Sequence, residues 1–131
     1  MHTKHILSWG LRLIAAGIML QTLYFKFTAQ PESVYIFTQA GIEPWGRIAT
    51  GVAELLASIL LLIPATVPLG AVLGIGLMSG ALLVHLTVLG IEVQGDGGQL
   101  FAYAIIVLAS CVSLLVLHRQ ALRTFLTRLT I

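Results

Sequence analysis

Apolar residues fall in four long runs, at residues 6–28, 46–63, 69–89 and 99–117, with the polar residues crowded into the gaps between them. A helix of about 20 residues, rising about 1.5 Å per residue, crosses the roughly 30 Å core of a bilayer. Each run therefore predicts a membrane span. Short gaps make successive spans antiparallel, so the expected fold is an all-α membrane protein, a four-transmembrane-helix antiparallel bundle. The second and third runs are joined by Pro64-Ala-Thr-Val-Pro68, an uncharged turn that predicts a tight hairpin. Gly70 with Gly74, and Gly76 with Gly80, repeat the small-xxx-small spacing that lets helix backbones approach closely.

The gap after the first run is different. It is too short and too polar to span. Pro31 and Glu32 stand where a helix begins, and Val34, Tyr35, Ile36 and Phe37 then add apolar surface. This predicts a short interfacial helix after span one, ended by Gly41, with Tyr35 and Trp45 at headgroup level. The last stretch, 120–131, alternates basic and apolar residues and predicts an amphipathic tail along the membrane surface.

Composition agrees. Of 131 residues, 58% are hydrophobic and 9% charged, and mean hydropathy is +1.01. Soluble domains carry about 25% charged residues. One integral-membrane domain, 1–131, is expected, with no separate soluble module. A net charge of +2 offers no basic surface for nucleic acid. Cys111, the single cysteine, excludes an internal disulfide. Arg12 interrupts the first apolar stretch and no small-residue cleavage site follows, so a first span is expected rather than a cleaved signal. Lys4, Arg12, Arg119, Arg123 and Arg128 fall on the side shared by both termini. The positive-inside rule then puts both termini of a multi-pass protein in the cytoplasm.

The residue that asks for an explanation is Glu54, well inside the second run. An acidic residue at mid-helix costs about 3 kcal/mol on insertion scales. It should face protein or a water pocket, not lipid. Counting along the spans places Glu54 roughly 12 Å, Gln21 roughly 10 Å and His85 roughly 6 Å below the outer boundary, with Lys26 and Arg47 shallower. Arg47, Thr50 and Glu54 share one helix face, and Gln21 and Tyr24 are neighbours on another. Glu54, His85, Lys26, Arg47, Gln21 and Tyr24 thus form a candidate ligand or proton pocket in the outer half of the bundle. Most also have a structural reading: Glu54 as ion-pair partner of Lys26, Arg47 or Arg12, His85 bonded to a carbonyl or to Glu54, Lys26 and Arg47 as snorkelling anchors, and Gln21 as an interhelical hydrogen bond. Gly95-Asp-Gly-Gly98 lacks the acidic spacing of a calcium loop, so no metal is expected. Haem is not expected either. His85 is outer while His5 and His118 are inner, and the last two also suit interfacial positions.

Several runs resemble the DoxX family of small four-span membrane proteins, over about residues 11–119. They are Arg12 early in span one, Lys26-Phe-Thr-Ala-Gln-Pro-Glu-Ser33, Glu43-Pro-Trp-Gly-Arg47, Gly51-Val-Ala-Glu54, His85-Leu-Thr87 and Gly95-Asp-Gly-Gly98. The chain departs from the family in Leu23, where glycine is frequent. The resemblance implies a four-helix membrane bundle tied to quinol or sulfur-compound oxidation, or to oxidative stress.

The leading expectation is a membrane subunit or small-molecule binder in redox metabolism. Its pocket would hold a quinone-like head, with Glu54 and His85 exchanging protons and Lys26 and Arg47 stabilising negative charge. The chain shows no self-contained catalytic or redox-cofactor motif, so it is not assigned as an enzyme. No covalent cofactor is expected. The expected partners are the lipid bilayer and a redox protein or a second copy of the chain. The alternative is a non-catalytic scaffold or assembly factor whose charges only lock helices together. A small transporter is less favoured, because the inner half lacks a polar lining.

Overall fold

Proline and glycine set several of the helix boundaries in this chain. The computed structural model describes residues 2–130 and contains, among them, six α-helices: α1 His2–Phe27, α2 Pro31–Gln39, α3 Trp45–Leu62, α4 Val67–Val84, α5 Gln99–Leu117 and α6 Arg119–Thr130. Pro31 opens α2, and Pro68 sits in the first turn of α4. There its missing N–H breaks no helical hydrogen bond. A 3-10 turn, Pro64–Thr66, leads straight into α4, so the third span begins earlier than its apolar run suggests. Four stretches have the length and apolarity to cross a membrane: Thr3–Phe27, Trp45–Leu62, Pro64–Leu89 and Gln99–Leu117. The protein is a multi-pass, all-α membrane bundle.

The four long helices close into a ring. α1 packs against α3 and α5, and α4 packs against the same two. The short helix α2 touches α1, α3 and the end of the third span, and so lies across one end of the ring. That end, with the segment 90–98, is the α2 end; the other, with α6, is the terminus end. α6 carries Leu122, Phe125, Leu126 and Leu129 at helical spacing and rests against α4 and α5.

Size and polarity, more than hydrophobicity, sort side chains between the interior and the lipid face. Ala15, Met19, Ala57, Leu61, Ala71, Val107, Cys111 and Leu114 fill the centre. Large apolar residues such as Leu13, Val52, Leu56, Val72, Leu83 and Val116 face outward. Hydrocarbon solvates them as well as a core would, so close packing and polar contacts hold the helices together. The first glycine pair serves this packing. A Cβ on Gly70 would lie 2.8 Å from the Leu61 backbone nitrogen, and one on Gly74 2.6 Å from Cys111 Sγ. The second pair does not. A Cβ on Gly76 or Gly80 would meet nothing within 4 Å.

Two arginines tie α1 to α3 reciprocally. Arg12, on α1, donates from Nε to Leu61 O and from Nη2 to Leu62 O (3.0 Å), at the C-terminus of α3. Arg47, on α3, donates to Lys26 O at the C-terminus of α1. Each guanidinium meets carbonyls that a helix end leaves unpaired, at the negative pole of its dipole. Trp9 stacks on Arg12 at 3.6 Å, a favourable cation–π contact.

Candidate functional site

At the α2 end the helices of the ring enclose a cavity of about 370 Å³. Ser33, Ile36, Phe37 and Ala40 of α2 roof it. Ile18, Met19, Thr22 and Lys26 of α1, Thr50 and Glu54 of α3, and Leu100, Tyr103, Ala104 and Val107 of α5 contribute walls. The remaining wall is the third span: Gly76, Leu77, Met78, Gly80, Ala81 and Val84 of α4, continued by His85 and Leu89. The lining is apolar apart from a few polar groups, and its volume lies within the range of small-molecule sites.

Glu54 is 3% exposed. Its Oε1 lies 2.9 Å from Lys26 Nζ, yet among the described residues no donor is aligned for a hydrogen bond to it. The contact is thus an ion pair without good hydrogen-bond direction. Its Oε2 lies 3.2 Å from Thr22 Oγ1, which also reaches Met19 O at 2.8 Å. One hydroxyl proton serves two acceptors. The carboxylate therefore keeps accepting capacity, and the ammonium keeps N–H groups to donate.

His85 is placed by a local break in helix geometry. The third span ends in a π-helical turn, His85–Leu89, of the kind that often marks functional sites. Gly90 stops it with φ +80°, a conformation that favours glycine, and donates its N–H to His85 O at 2.7 Å. His85 Nδ1 lies 3.0 Å from Gly90 O. A carbonyl only accepts, so Nδ1 carries the proton and Nε2 is the basic nitrogen. The ring meets Phe101 edge-on at 5.5 Å. Behind it, Asp96 accepts N–H bonds from Val93, Gly98 and Leu100. Burial works to raise the Asp96 carboxyl, but those three bonds and nearby His85 outweigh it and hold it below its ordinary value. The Gly95–Gly98 stretch is a turn organised by Asp96.

Of the six sequence candidates, Glu54, Lys26 and His85 line the cavity. Arg47 does not. Its Nε donates to Glu43 Oε1 at 2.8 Å and Oε2 at 3.1 Å, while the other arm holds the end of α1. Arg47 is seven residues from Glu54, by way of Thr50, but only four from Glu43, and the nearer carboxylate takes it. Gln21 lines a neighbouring cleft of about 100 Å³ between α1, α2 and α5, with Lys26, Glu32 and Gln99. Tyr24 is 62% exposed and packs edge-on against Phe25, away from both spaces. Arg12 lies at the terminus end, far from Glu54. Thr22 was missed in the sequence, although it stands four residues before Lys26 and so shares its face. The roof residues of α2 carried no local signal, since a ring of four spans had first to be assembled beneath them.

The profile of the DoxX-like family matches residues 11–114. The chain belongs to that family. No curated protein and no solved structure matches it. The DoxX-like match takes in the second and third spans whole and most of the first and fourth, with both arginine ties and the whole cavity, and ends before α6.

Proposed function

We propose that this DoxX-like protein binds a small quinone-like molecule in the α2-end cavity and acts as a membrane subunit beside a redox partner. The observation that carries this reading is the buried Glu54–Lys26 pair, open on one side to an apolar cavity. Such a site suits a ring bearing oxygens. Lys26 donates to a carbonyl oxygen, Glu54 accepts from a hydroxyl, and His85 Nε2 offers a second basic atom at the wall. The chain supplies binding and proton contacts, and electrons pass through the partner. The same reading places the protein in the bacterial cytoplasmic membrane with both termini on the cytoplasmic side. Calorimetric titration of detergent-solubilised protein with a short-chain hydroquinone tests it. Glu54→Gln is expected to weaken binding by about tenfold or more, the scale of one charge-assisted hydrogen bond.

A scaffold is the second reading, favoured by one observation: Arg12, Arg47, Lys26 and Glu54 each make an interhelical contact. On that reading Glu54→Gln lowers the melting temperature and the hydroquinone binds to neither form.

A further inference from the structure

The second glycine pair of α4 has an unusual position. Gly76 and Gly80 line the cavity, yet both are exposed on the outside of the bundle. Neither is kept small by a neighbour, since a Cβ at either would meet nothing within 4 Å. The hairpin of α3 and α4 is in close contact at its other end, where Gly70 lies against the Ala57 and Leu61 backbone. Toward the α2 end the cavity lies between Thr50 and Glu54 of α3 and the Gly76/Gly80 flank of α4. The axial route is covered by α2. The wall is therefore missing side chains on the flank that faces lipid.

We infer that Gly76 and Gly80 frame a lateral doorway between α3 and α4, occupied by the apolar tail of a neutral amphiphile whose oxygen-bearing head sits on Glu54 and Lys26. This inference rests on the binding reading above and adds the class of ligand and the route of its tail. The head is neutral because the site's own charges are. An anion would face the Glu54 carboxylate, and a cation would face the Lys26 ammonium. The head also donates a hydrogen bond, because Glu54, met by Lys26 at one oxygen and by a shared Thr22 hydroxyl proton at the other, keeps accepting capacity. A hydroxyl-bearing ring meets both demands. The tail stays in hydrocarbon. It passes over two glycines that present only backbone, and it leaves the bundle at the level of the lipid chains. The molecule then never has to cross the headgroup layer to bind.

Two probes separate the head site from the doorway: a hydroquinone bearing a decyl chain, and the same hydroquinone without a chain. Binding is measured on the full chain in nanodiscs and corrected for partition into the bilayer. The Gly76→Leu/Gly80→Leu double variant puts two side chains into the gap, at positions where a Cβ meets nothing within 4 Å. It is expected to lower the ratio of decyl-probe to chain-free-probe affinity by about tenfold or more. Gly80→Ala, whose Cβ has room, is expected to melt no lower than the native protein, which shows that substitution on this flank leaves the fold intact. If the double variant keeps its melting temperature and still binds the decyl probe at native strength, there is no doorway on this flank, although the head site stands. If the native protein binds neither probe, the binding reading itself fails, and the doorway with it.

Discussion

Glu54 and Lys26 illustrate how a membrane interior treats a charged pair. Removing one partner of a buried pair costs about 3–5 kcal/mol, because the other is left uncompensated, whereas replacing both is far cheaper. Lys26→Met is therefore expected to lower the melting temperature more than Lys26→Met/Glu54→Gln, a comparison that thermal scans in one detergent can read. If the double variant were the less stable, the two side chains would not be coupled. At the terminus end, His118 Nε2 lies 2.8 Å from Ser8 Oγ. Burial, then Arg12, then Lys4 push this imidazole below its ordinary value of 6.5. The unfolded chain then takes up the proton first, so stability is full above that value and is lost as pH falls below it. A melting-temperature profile should decline on acidification through this range, and His118→Gln should flatten it. Residue identities were easier to read than partnerships. Glu54 had to find company, and Lys26 was among the cations in reach. Arg47 had two carboxylates on offer, Glu43 four residues before it and Glu54 seven after, and the turn that brings Glu43 close decides between them.

The elements follow from the pattern of the chain because each span is long and its breakers are explicit. α2 is a case in point: Pro31 and Gly41 bracket it in the sequence as they do in space. What the spacing of small residues could not disclose was its use. Gly70/Gly74 and Gly76/Gly80 are the same motif on paper, but only the first pair meets a neighbouring helix. Gly70→Ala and Gly74→Ala should each destabilise the protein, since helix backbone or Cys111 must shift. Gly76→Ala should be neutral or stabilising by up to about 1 kcal/mol, the gain of alanine over glycine in a helix. Thermal scans of the three variants check the contrast, and equal effects would mean that both pairs pack. The arginine ties belong to the same scale. Arg12→Gln and Arg47→Gln each remove charged donors from a helix end, at about 1.5–3 kcal/mol per lost bond. They lie at opposite ends of the α1–α3 pair, so their effects should add in the double variant.

Over the whole molecule, charge is divided along the bundle axis. Glu32, Glu43, Glu92 and Asp96 belong to the α2 end and Glu54 to its half of the bundle, while Lys4, Arg119, Arg123 and Arg128 gather at the terminus end without an acidic neighbour in sequence. This asymmetry predicts orientation. The native thiol, Cys111, is buried, so single cysteines can be read against a silent background. In intact cells a membrane-impermeant maleimide should label Gln94→Cys, and Gln120→Cys only after permeabilisation. The reverse pattern would invert the topology. The interhelical cavity was visible in the sequence only as a gathering of polar residues at one depth. Its volume and its roof depend on how the four spans and α2 come together, which no single stretch encodes.

The reciprocal arginine ties bear on how the protein is made. Arg12 leaves the ribosome early, but the carbonyls it needs, those of Leu61 and Leu62, emerge only when α3 is nearly complete. Arg47 finds its acceptor, Lys26 O, already synthesised. During biogenesis the first hydrophobic crossing thus carries an unmet cation until the second has been threaded, and the two are best released into lipid as a pair, ahead of the helices that complete the ring.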